Sequence, residues 1–187
     1  MQRRRTLLRG AAASGLATLW HPVAFAVVYM DIDQARKVLL PQAASFTDWP
    51  LTIDAQVSAA IETATQHRIP PGFGPMGWTG LDAQGQQAGF VLADKVTGKF
   101  ELIDYAVGFS ADGAVTQVEV LAYRESHGGE IRSLAWRQQF AGRKAPAAMR
   151  FGDDIRNISG ATLSCQHVTE GVQRLSALVG MRLRKKP

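Results

Sequence analysis

Apolar and polar positions change period several times along this 187-residue chain. The stretch 31–40, "DIDQARKVLL", predicts a short helix behind an acidic start. "PLTIDAQVSAAIETATQHRI" predicts a brief strand and then a second helix. In that helix Asp54 is placed to cap, and Val57, Ala60, Ile61 and Ala64 recur on one face. The Pro- and Gly-dense "PPGFGPMG" at 70–77 closes the helix in a loop.

The middle of the chain predicts strands. "MGWTGLDAQGQQAGFVLADKV" holds two strand-like runs joined at Asp82-Ala83-Gln84-Gly85, and "ELIDYAVGFSADGAVTQVEVLAYRES" repeats the arrangement with Asp112-Gly113 as its hairpin turn. Strict alternation in the last run sends Val115, Gln117, Glu119 and Leu121 one way and Thr116, Val118, Val120 and Ala122 the other. Unequal apolar content on two faces is the signature of a sheet half-buried against helices. "EIRSLAWRQQF" (130–140) fits a helix anchored by Leu134 and the Trp136–Phe140 stretch. "SCQHVTEGVQRLSALVG" predicts a last helix, with Val168, Val172, Leu175 and Val179 as its buried stripe. The fold class predicted is α+β: a single domain, mainly antiparallel sheet with flanking helices.

Charge changes the picture at one end only. The formal net charge is +5, and Arg3, Arg4, Arg5 and Arg9 supply four of those positives. The remainder is close to neutral, so no nucleic-acid partner is expected. "MQRRRTLLRGAAASGLATLWHPVAFA" has a basic start, an apolar middle and a small-x-small end at Ala24-Phe25-Ala26, the pattern of an export signal cleaved after Ala26. Arg4-Arg5-Thr6-Leu7-Leu8-Arg9 adds the twin-arginine signature. The apolar run is short for a membrane span and is interrupted by Trp20, His21 and Pro22. The expected product is a soluble periplasmic protein; an uncleaved signal would leave a membrane anchor.

With one cysteine, no disulfide can form within the chain. Cys165 and His167 are too few for a zinc site, and no Cys-x-x-Cys-His haem motif exists. The four histidines show no pairing with a serine or cysteine that suggests hydrolysis. Neither catalytic residues nor metal ligands are predicted.

The chemistry concentrates in "NISGATLSC", residues 157–165, at the mouth of the last predicted helix. A helix N-terminus carries unpaired N–H groups and partial positive charge, and small residues let an anion approach the backbone. Thr162 adds a hydroxyl there. On these residues alone, three roles are open: a helix cap by Ser159 or Thr162, a phosphate cradle, and a threonine that accepts a phosphoryl group.

"ISGATLS" resembles the flavinylation motif of the FMN-binding domain family, which includes the G subunit of Rnf electron-transport complexes and the C subunit of the sodium-pumping NADH:quinone reductase. "LDAQGQQAGFVLADKVTGK", "GFSADGAVTQVEVLAYRESHGGEI", "WRQQFAGRK" and "VTEGVQRLSALV" resemble, in order, the family's hairpins, its turn, its Gln-Phe-x-Gly segment and its closing helix. The resemblance implies FMN joined to Thr162 through a phosphoester, installed from FAD by an ApbE-type flavin transferase. It also implies cofactor contacts from Ser159, Gly160, Ala161, Leu163, Ser164 and Glu125, and electron relay to membrane-associated redox proteins. Arg156 stands where the family usually has aspartate, and the turn Glu125-Ser126-His127-Gly128-Gly129 lacks the family's Thr-Pro.

The organisation predicted is a leader at 1–26, a helical and extended segment at 27–74, the FMN-binding domain at 75–180 and a basic tail at 181–187. Trp78 and Trp136 are expected in the core rather than beside a flavin ring. Cys165 is expected as a packed residue of the first helical turn, and His127 as solvent-exposed. Two other functions stay open: a sensory module holding a phosphorylated ligand non-covalently at the same helix end, and a structural partner with a vestigial flavin site.

Overall fold

A computed structural model describes residues 27–184. The twin-arginine leader expected over 1–26 and the end of the basic tail, 185–187, lie outside the described residues.

Six strands form one antiparallel sheet: β1 (Val27–Val28), β2 (Ser45–Asp48), β3 (Met76–Leu81), β4 (Gln87–Thr97), β5 (Leu102–Ser110) and β6 (Val115–Tyr123). Their order is β1-β6-β5-β4-β3-β2, so a four-stranded meander is extended at both edges by strands from the N-terminal segment. Both predicted hairpins are present. At the second, the Ser110 hydroxyl donates to Asp112, and Gly113 takes the positive φ of 84° that the turn requires.

Helices cover both faces. α1 (Ile32–Leu39) starts where Asp31 accepts from the Gln34 N–H, and it packs Ala35 and Leu39 against Trp78, Val91 and Ala106. α2 (Ala55–Thr65), capped by Asp54, lies with the long α4 (Thr162–Arg184) on the other face. There Val168, Val172, Leu175 and Val179 are all buried, in one core with Phe90, Tyr105 and Phe109. The fold is a single α+β domain with a mainly antiparallel sheet and flanking helices. Among the described residues, no helix is long and apolar enough to cross a membrane.

Local expectations give way to tertiary structure in four places. The brief strand ahead of α2 lies upstream, at Ser45–Asp48, because Pro50 has no N–H to continue a ladder. The alternation along β6 is reset twice. Bulges opposite Gly108/Phe109 and Asp104/Tyr105 each insert one residue, so Val115, Val118, Val120 and Tyr123 all join the α4-side core. The helix expected over 130–140 is broken into a 3-10 turn, α3 (Leu134–Arg137) and a second 3-10 turn. Extended backbone at Ser133 (ψ 135°) separates the pieces, and its side chain caps α3. Leu134 is consequently 54% exposed, while Trp136 and Phe140 stay buried edge to face, with centroids 5.2 Å apart. Finally, α4 runs on through Arg184, and Arg182 lies over the Trp49 ring.

Candidate functional site: a cleft at the mouth of the last helix

Three segments meet at one end of the sheet: the β4–β5 turn, the chain leaving β6, and the first turn of α4. Between them is a cleft of about 560 Å³, which Lys99, Phe100, Glu125 and His127 line on one side and Gly160 to Ser164 on the other. Each segment is held by a specific contact.

Glu125 fixes the turn. Its Oε1 accepts from the Phe100 N–H (2.6 Å) and the Glu101 N–H (2.9 Å). Gly98 is needed beneath it, because a Cβ there would lie 2.6 Å from the same oxygen. Partial burial acts to raise the Glu125 pKa, but the N–H groups of Glu101, Phe100 and Lys99 and the Lys99 charge hold it below the ordinary carboxylate range. Glu125 therefore lines the cleft and also clamps the loop that presents Phe100, which is 75% exposed.

Tyr123 and Gly128 lock β6 to α4. The Tyr123 hydroxyl donates to the His127 carbonyl (2.6 Å) and lies 3.2 Å from the Ser164 hydroxyl. Gly128 has φ 85°, and a Cβ on it would meet Tyr123 Oη at 2.7 Å and the Ala161 Cβ at 2.9 Å. Ala161 and Ser164 are thus buried joints of the scaffold. His127 is exposed, its Nδ1 2.9 Å from the Ser126 hydroxyl.

The start of α4 answers the capping question. The Ala161 carbonyl accepts the first helical bond, from Cys165 N–H at 2.9 Å, so Ala161 occupies the cap position and has no side-chain oxygen to offer. Among the described residues, neither Ser159 nor Thr162 accepts from the N–H groups of Thr162, Leu163 or Ser164. The Thr162 Oγ1 instead accepts from Asn157 Nδ2 at 2.9 Å. Gly160, with φ 83°, has nothing within 4 Å of where a Cβ would sit. Ser159, Gly160, Thr162 and Leu163 are all exposed.

The remaining candidates serve structure. Trp78 and Trp136 are core residues, and Trp136 Nε1 donates to the Arg156 carbonyl (2.8 Å). The Arg156 N–H in turn donates to Gln139 Oε1 (2.8 Å), so backbone contacts hold the segment before Ser159 while the Arg156 side chain is exposed. Cys165 is buried, which pushes its thiol pKa up. Among the described residues, no three His, Cys, Asp or Glu side chains converge as a metal site.

Residues 98–177 match the family model of the FMN-binding domain. The chain carries an FMN-binding domain. The matched stretch opens at Gly98 and ends within α4, so all three walls of the cleft fall inside the FMN-binding domain. A search of curated proteins returns no match to this chain.

The cleft's residues fit both ends of FMN. Uncapped N–H groups at a helix start, beside a glycine with open space over it, suit a phosphate. Phe100 and Leu163, two exposed apolar side chains on opposite walls, suit a flat aromatic ring. Sequence reasoning overlooked three residues here: Asn157, Lys99 and Phe100. An aromatic in a polar hairpin turn, two residues after Gly98, was the available signal for Phe100.

Proposed function

We propose that this protein is a periplasmic electron carrier whose FMN is joined to Thr162 as a phosphoester. The observation that carries the reading is an exposed Thr162 hydroxyl, oriented by Asn157 and set at uncapped helix N–H groups. In the attachment step, catalysed by a flavin transferase of the ApbE type, Thr162 Oγ1 attacks the FMN-side phosphorus of FAD. The Oγ–P bond forms, the pyrophosphate bond to AMP breaks, and the hydroxyl proton passes to solvent.

When bound, FMN supplies one- and two-electron redox chemistry. The chain's residues anchor and orient it. The N–H groups of Thr162, Leu163 and Ser164 face the phosphate charge, Phe100 and Leu163 offer apolar contact to the ring, and Glu125 keeps the Phe100 turn in place. A covalent link allows the ring to remain accessible to protein partners, because retention does not depend on burial. Membrane-associated redox proteins are the partners this arrangement suits.

The test is exchange with an outside acceptor. Flavin-loaded protein, reduced by dithionite, should be reoxidised by ferricyanide in a fast bimolecular step whose rate is proportional to acceptor concentration. A rate independent of acceptor concentration would mean a sequestered ring and would contradict a relay.

A further inference from the structure

A second cleft, of about 300 Å³, lies beyond the β4–β5 hairpin from the flavin cleft. Its floor is α4, through His167, Glu170 and Arg174. One wall is the end of β4, and the other is the loop following α2, from Arg68 to Phe73. The last residues of β4, Asp94 to Thr97, pair with β5 only, because the β3 ladder stops at Ala93. The loop wall is fixed by the Ile69 N–H donating to Glu62 Oε1 (2.9 Å).

Arg174 makes this cleft unusual. It is only 3% exposed, yet it enters no ion pair among the described residues, and its Nε has no hydrogen-bond partner. Its guanidinium stacks over the Phe73 ring, 5.6 Å from the centroid. A buried guanidinium is ordinarily paired, since a buried charge left bare is costly. Asp94 is the nearby carboxylate on the α4 face: it accepts from the Tyr105 hydroxyl (3.1 Å), and the Arg174 charge acts to lower its pKa against the upward push of burial, but the two form no direct ion pair among the described residues.

A further charge on the cleft wall favours an anion. Arg68 lines it and is likewise in no ion pair among the described residues. The opposing acid on the wall is Glu170, whose Oε1 accepts from Gln166 Nε2 (2.9 Å). His167 is committed through Nδ1 to the Thr97 carbonyl (2.6 Å). The apolar surfaces of Pro70, Phe73, Val96 and Leu102 complete the lining. A guanidinium fork with open N–H edges recognises carboxylate or phosphate oxygens.

We propose that this cleft is a second binding site, distinct from the flavin cleft, for a small oxyanion with Arg174 as its central ligand and Arg68 as its flanking charge. The site does not depend on flavin attachment. The apolar walls favour an organic anion over a bare one. The two clefts share one hairpin, with Lys99 and Phe100 on the flavin side and Thr97 and Leu102 on this side. An anion seated here would therefore border the turn that carries Phe100.

The experiment follows the Arg174 Nε–H resonance in the nitrogen-15-labelled full chain, with and without attached flavin. Benzoate and inorganic phosphate are added separately, each against chloride at equal ionic strength. Either oxyanion should shift that resonance saturably, with chloride inert, and at hundredfold excess over its Kd should raise Tm by about 5–10 °C. A response to benzoate alone assigns an organic carboxylate, and a response to phosphate alone assigns a phosphoryl group; both support the site. Arg68→Gln, an exposed loop change, should weaken binding several-fold without altering the fold; Arg174→Gln, which removes the reporter resonance, should abolish the Tm rise with either oxyanion. The proposal is overturned if chloride reproduces the shift, if neither oxyanion moves the resonance, or if flavin attachment occupies the cleft and blocks both.

Discussion

The side-chain amide of Asn157 donates from Nδ2 to the Thr162 Oγ1 across 2.9 Å, tying the loop before the last helix to the hydroxyl at its mouth. A hydroxyl has one proton and two acceptor sites. Taking Asn157 as donor fixes the oxygen's position while leaving a lone pair and its own proton available for chemistry. Asn157→Ala should leave the denaturation midpoint nearly unchanged, since both residues are exposed. The rate of flavin attachment by a transferase should fall about tenfold, the effect of losing one orienting hydrogen bond. Timed intact-mass measurement with purified transferase checks it, and an unchanged rate would remove Asn157 from the site.

Gly128→Ala tests the joint between β6 and α4. The added Cβ would sit 2.7 Å from Tyr123 Oη and 2.9 Å from the Ala161 Cβ, on a residue whose φ is 85°. Overpacking and left-handed strain together should destabilise the domain by about 2–4 kcal/mol. Urea denaturation should show the midpoint falling with an unchanged slope. The change also displaces Ala161, so flavin attachment should decline in the variant that remains folded.

Glu125 predicts a pH dependence. Its carboxylate is held below the ordinary range by the turn's N–H groups, against the opposing pull of burial. A depressed folded pKa contributes stability that is present above the unfolded carboxylate value and is lost as pH falls through the folded value. Protection of the Phe100 and Glu101 amides from exchange should therefore hold at neutral pH and collapse only in acid below the ordinary carboxylate range. In Glu125→Gln that acid-dependent loss should disappear. Identical pH profiles in the two proteins would show that Glu125 does not clamp the turn.

Cys165 should behave as packing. It is fully buried and its thiol pKa is raised by burial, so a thiol reagent at neutral pH should label it only after unfolding. Labelling of the native protein at the rate of a free thiol would place it at a reactive surface.

Where sequence and structure agree, the signals are local. Asp31 and Asp54 cap the helices they precede, Asp112-Gly113 turns the hairpin, and the Val168 to Val179 stripe faces the sheet. Each depends on a spacing or a turn type that neighbouring residues set. What sequence reading missed depends on partners far along the chain. The parity of β6 is reset by bulges against β5, which no alternation within β6 encodes. Ser133 breaks the predicted 130–140 helix because Trp136 and Phe140 are drawn into a core that Leu134 cannot also reach. The candidate site divides the same way. The motif puts Thr162 at the mouth of the last helix, where its side chain is exposed, whereas the burial of Ala161 and Ser164 against Gly128 and Tyr123 depends on a strand about 40 residues away. Asn157 carries no signal of its own, because it acts through one side-chain contact five residues away, whereas Phe100 is marked only as an aromatic in a polar turn, and its clamping by Glu125 depends on a residue 25 positions on.

Covalent attachment of FMN is decided at Thr162 itself. The chain is co-expressed with a flavin transferase, denatured, and analysed by intact mass and by fragmentation of the peptide that spans 157–165. One FMN-sized increment should be located on Thr162, flavin fluorescence should survive denaturation, and both should be lost in Thr162→Ala with stability changed by less than about 0.5 kcal/mol. An increment that persists in Thr162→Ala, or fluorescence that washes away when the wild-type chain is denatured, would contradict a phosphoester at Thr162.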